Sequence, residues 1–536
     1  LHTIRLFIFT LLLAAGQYCF AETNIYASNG YYTSAVTWEK SKSPYILHVD
    51  VNIEKRGTLI IEPGVEVVGN GNKIKVGGRL YAGYVEGHKN DSPKNEKVTI
   101  KNARLEAAGI GDRIMNLSHL DMTSGSITIS SRERVLTQDF NLTNSSLKGA
   151  AIYSRYAQGN IILDHNKFDG RGFESNQDGL DTTAWNKPYE PSATLTVTNN
   201  TFENSSSSYL RVNNHKFNTI TINNNQFKNN TGGIHIEPHW AVSYGAQYIK
   251  KPADVEIKGN TFTKDRRGIY IRAGRFDVTG NNFIESPGIR YYGVYYTDPY
   301  YENYQKGIFD FKINNNYFIK QKGWNGSSTN VYAIENYNAV EDNLELQNNT
   351  FCSKDRVALR LSTDKTARMK AGDNYWNTTN KTAIQRNMVF DHLIDLDVKR
   401  TISYGVHNQD RNPNLSAALE AACAAEAEGS EPEEAAACTL GGMVLPGTPA
   451  LDPASCSVYN ITEDVQIPKG VTLRANPGVR IEGKGKKIKV EGGLDFVGSK
   501  DSKIVINNTH IQPAGDPDDP IYTIKLSHLN MTSGSI

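Results

Sequence analysis

From Ile161 to Trp376 one short pattern returns again and again: an alternating apolar strand, an Asn-rich turn, then an aromatic. It runs Ile161 to Phe168, Leu195 to Phe202, Ile220 to Phe227, Val255 to Phe262, Phe276 to Phe283, Phe309 to Phe318, Leu344 to Phe351 and Ala371 to Trp376. A second short strand follows in each repeat: Gly179 to Thr182, Tyr209 to Val212, Gly233 to Ile236, Gly268 to Ile271, Gly293 to Tyr296 and Ala358 to Leu361. The aromatics recur every 21 to 35 residues, which is one solenoid coil plus a loop of variable length. Each coil has too few inward apolar residues to fold alone, so neighbouring coils must supply both the core and the strand hydrogen bonds. The fold class that follows is all-β, a parallel β-helix.

Asn at a fixed turn position tolerates left-handed backbone and can pass amide hydrogen bonds from coil to coil. Sequons such as Asn199-Asn200-Thr201 therefore read as ladder chemistry, ahead of glycosylation.

A longer repeat lies over the coils. Asp50 to Val76 returns as Asp464 to Val490, and Leu117 to Ile127 returns as Leu526 to Ile536 with Asp121 replaced by Asn530. The chain thus holds a duplicated domain whose second copy is expected to be incomplete. The expected organisation is a signal peptide over 1–21 and an N-terminal cap over 22–50. A β-helix with its C-terminal cap over 51–415, an Ala/Glu-rich linker over 416–440 and the start of the second copy over 441–536 follow. Gly429 and Pro432 interrupt the linker, which favours a solvated tether over a helix. Asn24 to Asp50 and Thr382 to Pro413, outside the coil pattern, are expected to cover the open strand edges.

The first residues, with His2 and Arg5 before an apolar run from Leu6 to Ala15 and small residues before Glu22, have the layout of a cleaved secretory signal. No other stretch is apolar and long enough to span a bilayer. The mature chain would keep Cys352, Cys423, Cys438 and Cys456, and an exported location permits disulfides; Cys423 and Cys438 would close a short loop. A formal net charge of +1, with both signs interspersed, offers no field to recruit nucleic acid.

Val36-Thr37-Trp38, Ser43-Pro44-Tyr45 and Thr58-Leu59-Ile60-Ile61-Glu62-Pro63-Gly64-Val65 form an opening, and Asp373-Asn374-Tyr375-Trp376 a closing, that resemble right-handed β-helix proteins of the pectin-lyase-like superfamily. The resemblance is closest to bacterial surface and periplasmic β-helix repeat proteins of the NosD-like group. It implies a right-handed parallel β-helix and leaves activity open, because this superfamily includes lyases, hydrolases, epimerases, adhesins and non-catalytic modules.

Aligning the second strands by their inward residues sets one outward position of each coil in a row: Asp181, Arg211, His235, Tyr270, Tyr295, a position near Tyr332, and Arg360. A second row holds Thr183, Asn213, Glu237, Arg272, Thr297 and Ser362. The loops after these strands carry Trp185 and Tyr189, then Trp240, Tyr244 and Tyr248, then Tyr300, Tyr301 and Tyr304, and insertions at one coil position emerge on one side. Aromatic faces beside polar groups suit sugar rings, and arginines suit uronate carboxylates.

The expected partner is therefore a polysaccharide or surface glycan, held by Arg211, Arg272, Tyr295, Trp185, Trp240 and Tyr244. The alternative is a polysaccharide lyase or epimerase with Asp181, His235, Glu237 and Tyr270 as acid and base groups. A third reading is a structural spacer in a larger surface protein. Asn176-Gln177-Asp178-Gly179 resembles a polygalacturonase motif, yet Ser208-Tyr209-Leu210-Arg211 stands where such hydrolases carry paired aspartates. No cofactor is expected: Asp169, Glu174, Asp178 and Asp181 lack the fixed spacing of a Ca2+ loop.

Overall fold

The computed structural model describes residues 22–83, 96–108, 113–129, 138–154, 159–174, 193–206, 209–213, 217–237, 253–272, 275–292, 310–324, 331–336, 344–353, 356–361, 369–381, 384–385, 388–390, 402–407, 416–429, 439–448, 450–451, 458–499, 502–514 and 522–536. The expected signal peptide, 1–21, lies outside them. The chain divides into two compact units, Leu1–Asn260 and Thr261–Ile536.

In the first unit a coil carries three short strands, except where one long strand, Val98–Ala107 or Leu120–Thr128, spans the second and third positions. One coil has Ile161–Asp164, Lys167–Asp169 and Phe173–Glu174; the next has Thr194–Thr198, Thr201–Glu203 and Leu210–Asn213; the next has Thr219–Asn223, Gln226–Lys228 and Ile234–Glu237. They pair parallel and in register, Leu195 with Ile220, Phe202 with Phe227, Leu210 with Ile234. The turn aromatic thus lies in a strand of its own, the element missing from the two-strand reading. Alternation drives the arrangement: Leu195, Val197, Ile220 and Ile222 are fully buried while the Thr residues between them face outward.

The Asn turn divides its labour between two adjacent residues. Asn199 and Asn224 take the left-handed conformation (φ 56° and 57°), and the residue after each builds the ladder. The backbone N–H of Asn166 donates to Asn200 Oδ1 (2.8 Å), that of Asn200 to Asn225 Oδ1 (2.9 Å) and that of Asn225 to Asn260 Oδ1 (2.9 Å). Asn200 Nδ2 also donates to the Leu163 carbonyl (2.8 Å), so a turn that would bury unpaired backbone groups is satisfied. Below it, Phe168, Phe202 and Phe227 stack with ring centroids 4.7 and 5.1 Å apart, matching the rise between coils.

The second unit repeats both devices. Asn281, Asn316, Asn349 and Asn374 form its ladder at 2.9–3.0 Å, and Phe262, Phe283, Phe318 and Phe351 stack at 4.8, 4.9 and 5.3 Å. It also holds the second copy, whose strands pair parallel around a core of Ile461, Val465, Ile467, Ile488, Val490 and Phe496.

The segments outside the coil pattern carry more regular structure than the repeats announce. The segment expected to cap the N-terminal end is itself a coil. Thr23–Ile25 pairs with Tyr45–Leu47, Tyr31–Tyr32 with Val51–Ile53 and Ala35–Trp38 with Thr58–Ile61, while Trp38 is buried against Tyr45. Within the C-terminal cap, Val389–Phe390 and Ile402–Val406 continue the pairing, because Trp376 stays buried and donates from Nε1 to the Gly405 carbonyl (3.0 Å). The linker holds a helix, Ala417–Gly429, which its alanines favour and Gly429 ends. Cys423 on that helix is disulfide-bonded to Cys352, not to Cys438, and Leu419, Ala422 and Cys423 pack against Ile284 and Ile319.

Candidate functional site

The third strand of each coil sets the site, and the residue that opens it sets the register. For the strand Phe173–Glu174 that residue is Gly172. A Cβ there would lie 2.0 Å from the Tyr209 carbonyl oxygen, so only glycine lets the backbone pass so close to the next coil. Phe173 then points into the core and Glu174 outward, paired with Leu210 and Arg211. Glu174 therefore occupies the rung expected to hold Asp181, which lies outside the described residues.

The outward row of the first unit reads Thr128, Tyr153, Glu174, Arg211, His235 through successive register pairs. Their inward neighbours Ile127, Ile152, Phe173, Leu210 and Ile234 are fully buried, which fixes the row on the outer face. Tyr153, Glu174, Arg211 and His235 are each half-buried. Arg211 Nη1 lies 3.9 Å from Glu174 Oε1, and Arg171 Nη1 donates to the Tyr153 hydroxyl (3.2 Å). Glu237 lies in the same strand as His235, its backbone paired with Asn213. The side chain of Glu237, with Trp185, Trp240 and Tyr244, lies outside the described residues.

In the second unit the row reads Tyr270, Arg290, Glu335, Arg360. Tyr270 and Arg360 stand where the sequence reading set them. The rungs between them differ, because the third strand there is Ile289–Tyr292, opened by Gly288, whose added Cβ would meet the Ala333 carbonyl oxygen at 1.8 Å. Arg290 is thus the residue beside Tyr270, while Tyr295 lies outside the described residues. Arg272 is paired through its backbone with Tyr292; its side chain is outside the described set.

Glu335 is 2% exposed and lies between two guanidinium groups, with Arg290 Nε 2.5 Å from Oε2 and Arg360 Nε 3.5 Å from Oε1. Arg290 stacks over Trp324 (4.8 Å) and Tyr332 (5.4 Å) and donates to the Tyr332 hydroxyl; Arg360 lies over the same Tyr332 ring (5.3 Å). Burial pushes the Glu335 carboxyl above its ordinary value of 4.5, with both arginines pulling the other way. Chemically this is a neutralised carboxylate in an aromatic setting, whereas the first unit's row keeps a guanidinium and an imidazole on neighbouring half-buried rungs.

Sequence reasoning alone did not place Glu174, Arg290 or Glu335 in the row, although a signal for the first two was present. The signal was the distance from turn aromatic to next inward residue: five from Phe168 to Phe173 and six from Phe283 to Ile289, close to the seven from Phe227 to Ile234. Starting the strands at Gly179 and Gly293 instead stretched both gaps beyond ten residues.

Residues 118–341 match the family described as Periplasmic copper-binding protein (NosD). The match covers the first unit's Asn ladder and outward row and the start of those of the second unit, through Asn281, Asn316, Arg290 and Glu335, and agrees with the NosD-like resemblance. No curated protein matches the chain. Among the described residues, no three His, Cys, Asp or Glu side chains gather in a way that would hold a metal ion, and no helix is long and apolar enough to cross a membrane.

Proposed function

We propose that this chain is an exported β-helix protein that binds carbohydrate, in adhesion or attachment to a glycan matrix, through the outward third-strand row of its first unit. The observation that carries the reading is the sequence of groups on that row: a phenol, a carboxylate, a guanidinium and an imidazole on four consecutive rungs, all half-buried. Rungs are about 4.8 Å apart, so these groups offer hydrogen-bond donors, acceptors and a ring along a line that a linear glycan can follow. Export is supported by the apolar start of the chain and by the disulfide between Cys352 and Cys423.

The family description raises copper, and the described residues do not fit it. His235 stands beside Arg211, whose positive charge opposes a cation, and Glu335 is already neutralised between two arginines. Cys352 and Cys423 are consumed by their disulfide, and Met115 and Met122 are fully buried in the core. No role is assigned here to a metal.

A glycan array carrying neutral and uronate-containing polymers tests the reading. The full chain is expected to bind at least one class, and Arg211→Ala to weaken that binding about tenfold, the loss of one charge-assisted contact. A blank array, or binding untouched by both Arg211→Ala and Tyr153→Ala, would overturn it. Ultraviolet absorbance from unsaturated uronates in the same incubations would move the conclusion to a lyase.

A further inference from the structure

The two copies open with the same 27-residue segment, aligned without a gap, yet their charges have parted. Asp50 to Val76 carries four basic and four acidic residues; Asp464 to Val490 carries seven basic and two acidic. The core positions are kept, so the change is confined to the outer surface.

Register fixes which residues correspond. Glu66 pairs with Thr99 in the first copy and Arg480 with Val505 in the second; Lys73 pairs with Arg104 and Lys487 with His510; Lys75 pairs with Glu106 and Lys489 with Gln512. In the first copy the lysines are matched by acids: Lys101 with Glu66 (2.7 Å), Lys73 with Glu106 (2.8 Å) and Lys75 with Asp50 (2.8 Å). In the second, Arg480 replaces Glu66 and Gln512 replaces Glu106, which removes two of those three acids. Asp464 remains, but its Oδ1 accepts from the Lys487 backbone N–H (2.9 Å), as Asp50 does from Lys73.

The turn between the two strands has changed most. Asn70, Gly71 and Asn72 become Lys484, Gly485 and Lys486. Asn72 Nδ2 donates to the Leu47 carbonyl (2.8 Å), a bond that a lysine at its place gives up. Lys484 inherits the left-handed conformation of Asn70 (φ 50° against 52°), which suits Asn better than Lys. Charge has been gained against local structural preference. Lys484, Lys486 and Lys487 are exposed and make no ion pair among the described residues, while Arg480 lies 3.9 Å from Glu482.

We propose that this edge of the second copy, Arg480, Lys484, Lys486, Lys487 and His510, is a docking surface for a linear acidic polysaccharide. The five side chains are cationic or protonatable, follow one turn and the rung beside it, and include no apolar group that would enter a bilayer. A charged polymer strand laid along the turn meets them in succession, and charges this close add their attraction at the ionic strength of a cell exterior, where screening extends over about 8 Å. The proposal is independent of the row in the first unit and gives the duplication a purpose other than a second identical site.

The test uses the full chain with polygalacturonate, with uncharged dextran, and with phosphatidylglycerol vesicles. Polygalacturonate binding is expected, weakening as salt is raised; dextran is expected not to bind at this edge. Lys484→Asn with Lys486→Asn restores residues with which the first copy folds, and adding Arg480→Glu restores its acid. The triple variant is expected to bind polygalacturonate about tenfold more weakly with an unchanged far-ultraviolet spectrum. The reciprocal change in the first copy, Asn70→Lys with Asn72→Lys and Glu66→Arg, is expected to strengthen binding. Unchanged affinity in the triple variant overturns the proposal, as does vesicle binding without polymer binding. Affinity that falls with Arg211→Ala but not with the triple variant keeps the first unit's site and sinks this one; the converse keeps this one alone.

Discussion

The outward rows of the two units occupy the same strand of the coil and use the same kinds of residue, yet the carboxylate of one is half-exposed and that of the other is buried. Glu174 shares about a third of its surface with solvent and sits 3.9 Å from Arg211; Glu335 is 2% exposed and 2.5 Å from Arg290, whose guanidinium lies over Trp324. Position on a β-helix therefore does not decide the role of a charged side chain. What covers it does. Glu335 is held between two arginines whose guanidiniums lie over Trp324 and Tyr332, a setting that favours a packing role, while the proposed glycan site uses the half-exposed Glu174 with Arg211 and His235.

The largest expected effect separates these two roles. Glu335→Ala leaves two poorly solvated guanidiniums without their carboxylate and is expected to cost about 3–5 kcal/mol by urea unfolding. Glu174→Ala removes a half-exposed pair and is expected to cost at most about 1 kcal/mol. Equal losses would erase the distinction. The scaffold beneath should not distinguish the units: Asn200→Ala and Asn316→Ala each break a buried ladder and are expected to cost about 1–3 kcal/mol each, with similar values in one denaturation series.

Titration gives a smaller and opposite pair of effects. Because burial raises the Glu335 carboxyl, the folded chain holds that proton more tightly than the unfolded chain. Its stabilising effect is present below 4.5 and is lost as pH rises through the raised value. Asp164 behaves in reverse. Burial alone would raise it, but hydrogen bonds from Thr198 (2.6 Å) and Asn199 (2.9 Å), with His165 beside it, hold it below 3.8. Its contribution is present above that value and fades as pH falls through the lowered one. Urea midpoints against pH should lose the rising-pH decline in Glu335→Gln and the acid decline in Asp164→Asn; the same profile in both variants would refute the assignment. The smallest stability effect belongs to Arg211→Ala, within about 1 kcal/mol, although its effect on glycan affinity is expected to be the larger one.

Much of this architecture is written in local chemistry. The Asn pair before a turn aromatic announces the coil, since its first residue tolerates the left-handed turn and its second builds the buried amide ladder, and the stacked Phe residues fix the spacing. The outward character of Arg211, His235, Tyr270 and Arg360 follows from strict alternation with buried neighbours. Where reading failed, two glycines competed for one task. Gly172 and Gly179, or Gly288 and Gly293, look alike in sequence, and only the close passage of the next coil's carbonyl distinguishes them. The partner of Cys423 was equally hidden, because the 71 residues separating it from Cys352 say nothing about which surfaces meet. The setting of Glu335 was hidden too, because it lies between Arg290 and Arg360, whose guanidiniums lie over Trp324 and Tyr332, and no period reveals which rings meet which arginines.

The claim on which the candidate site rests is that Arg211 and His235 are direct rung neighbours on the outer face. Mild oxidation of the double variant Arg211→Cys with His235→Cys tests it, since rung neighbours lie within disulfide reach. Peptide mass mapping is expected to find one cross-link joining these two positions, and none when Arg211→Cys is combined with Ile234→Cys, whose side chain faces the core. Free thiols in the first variant, or an equal cross-link in the second, would contradict the register and with it the row.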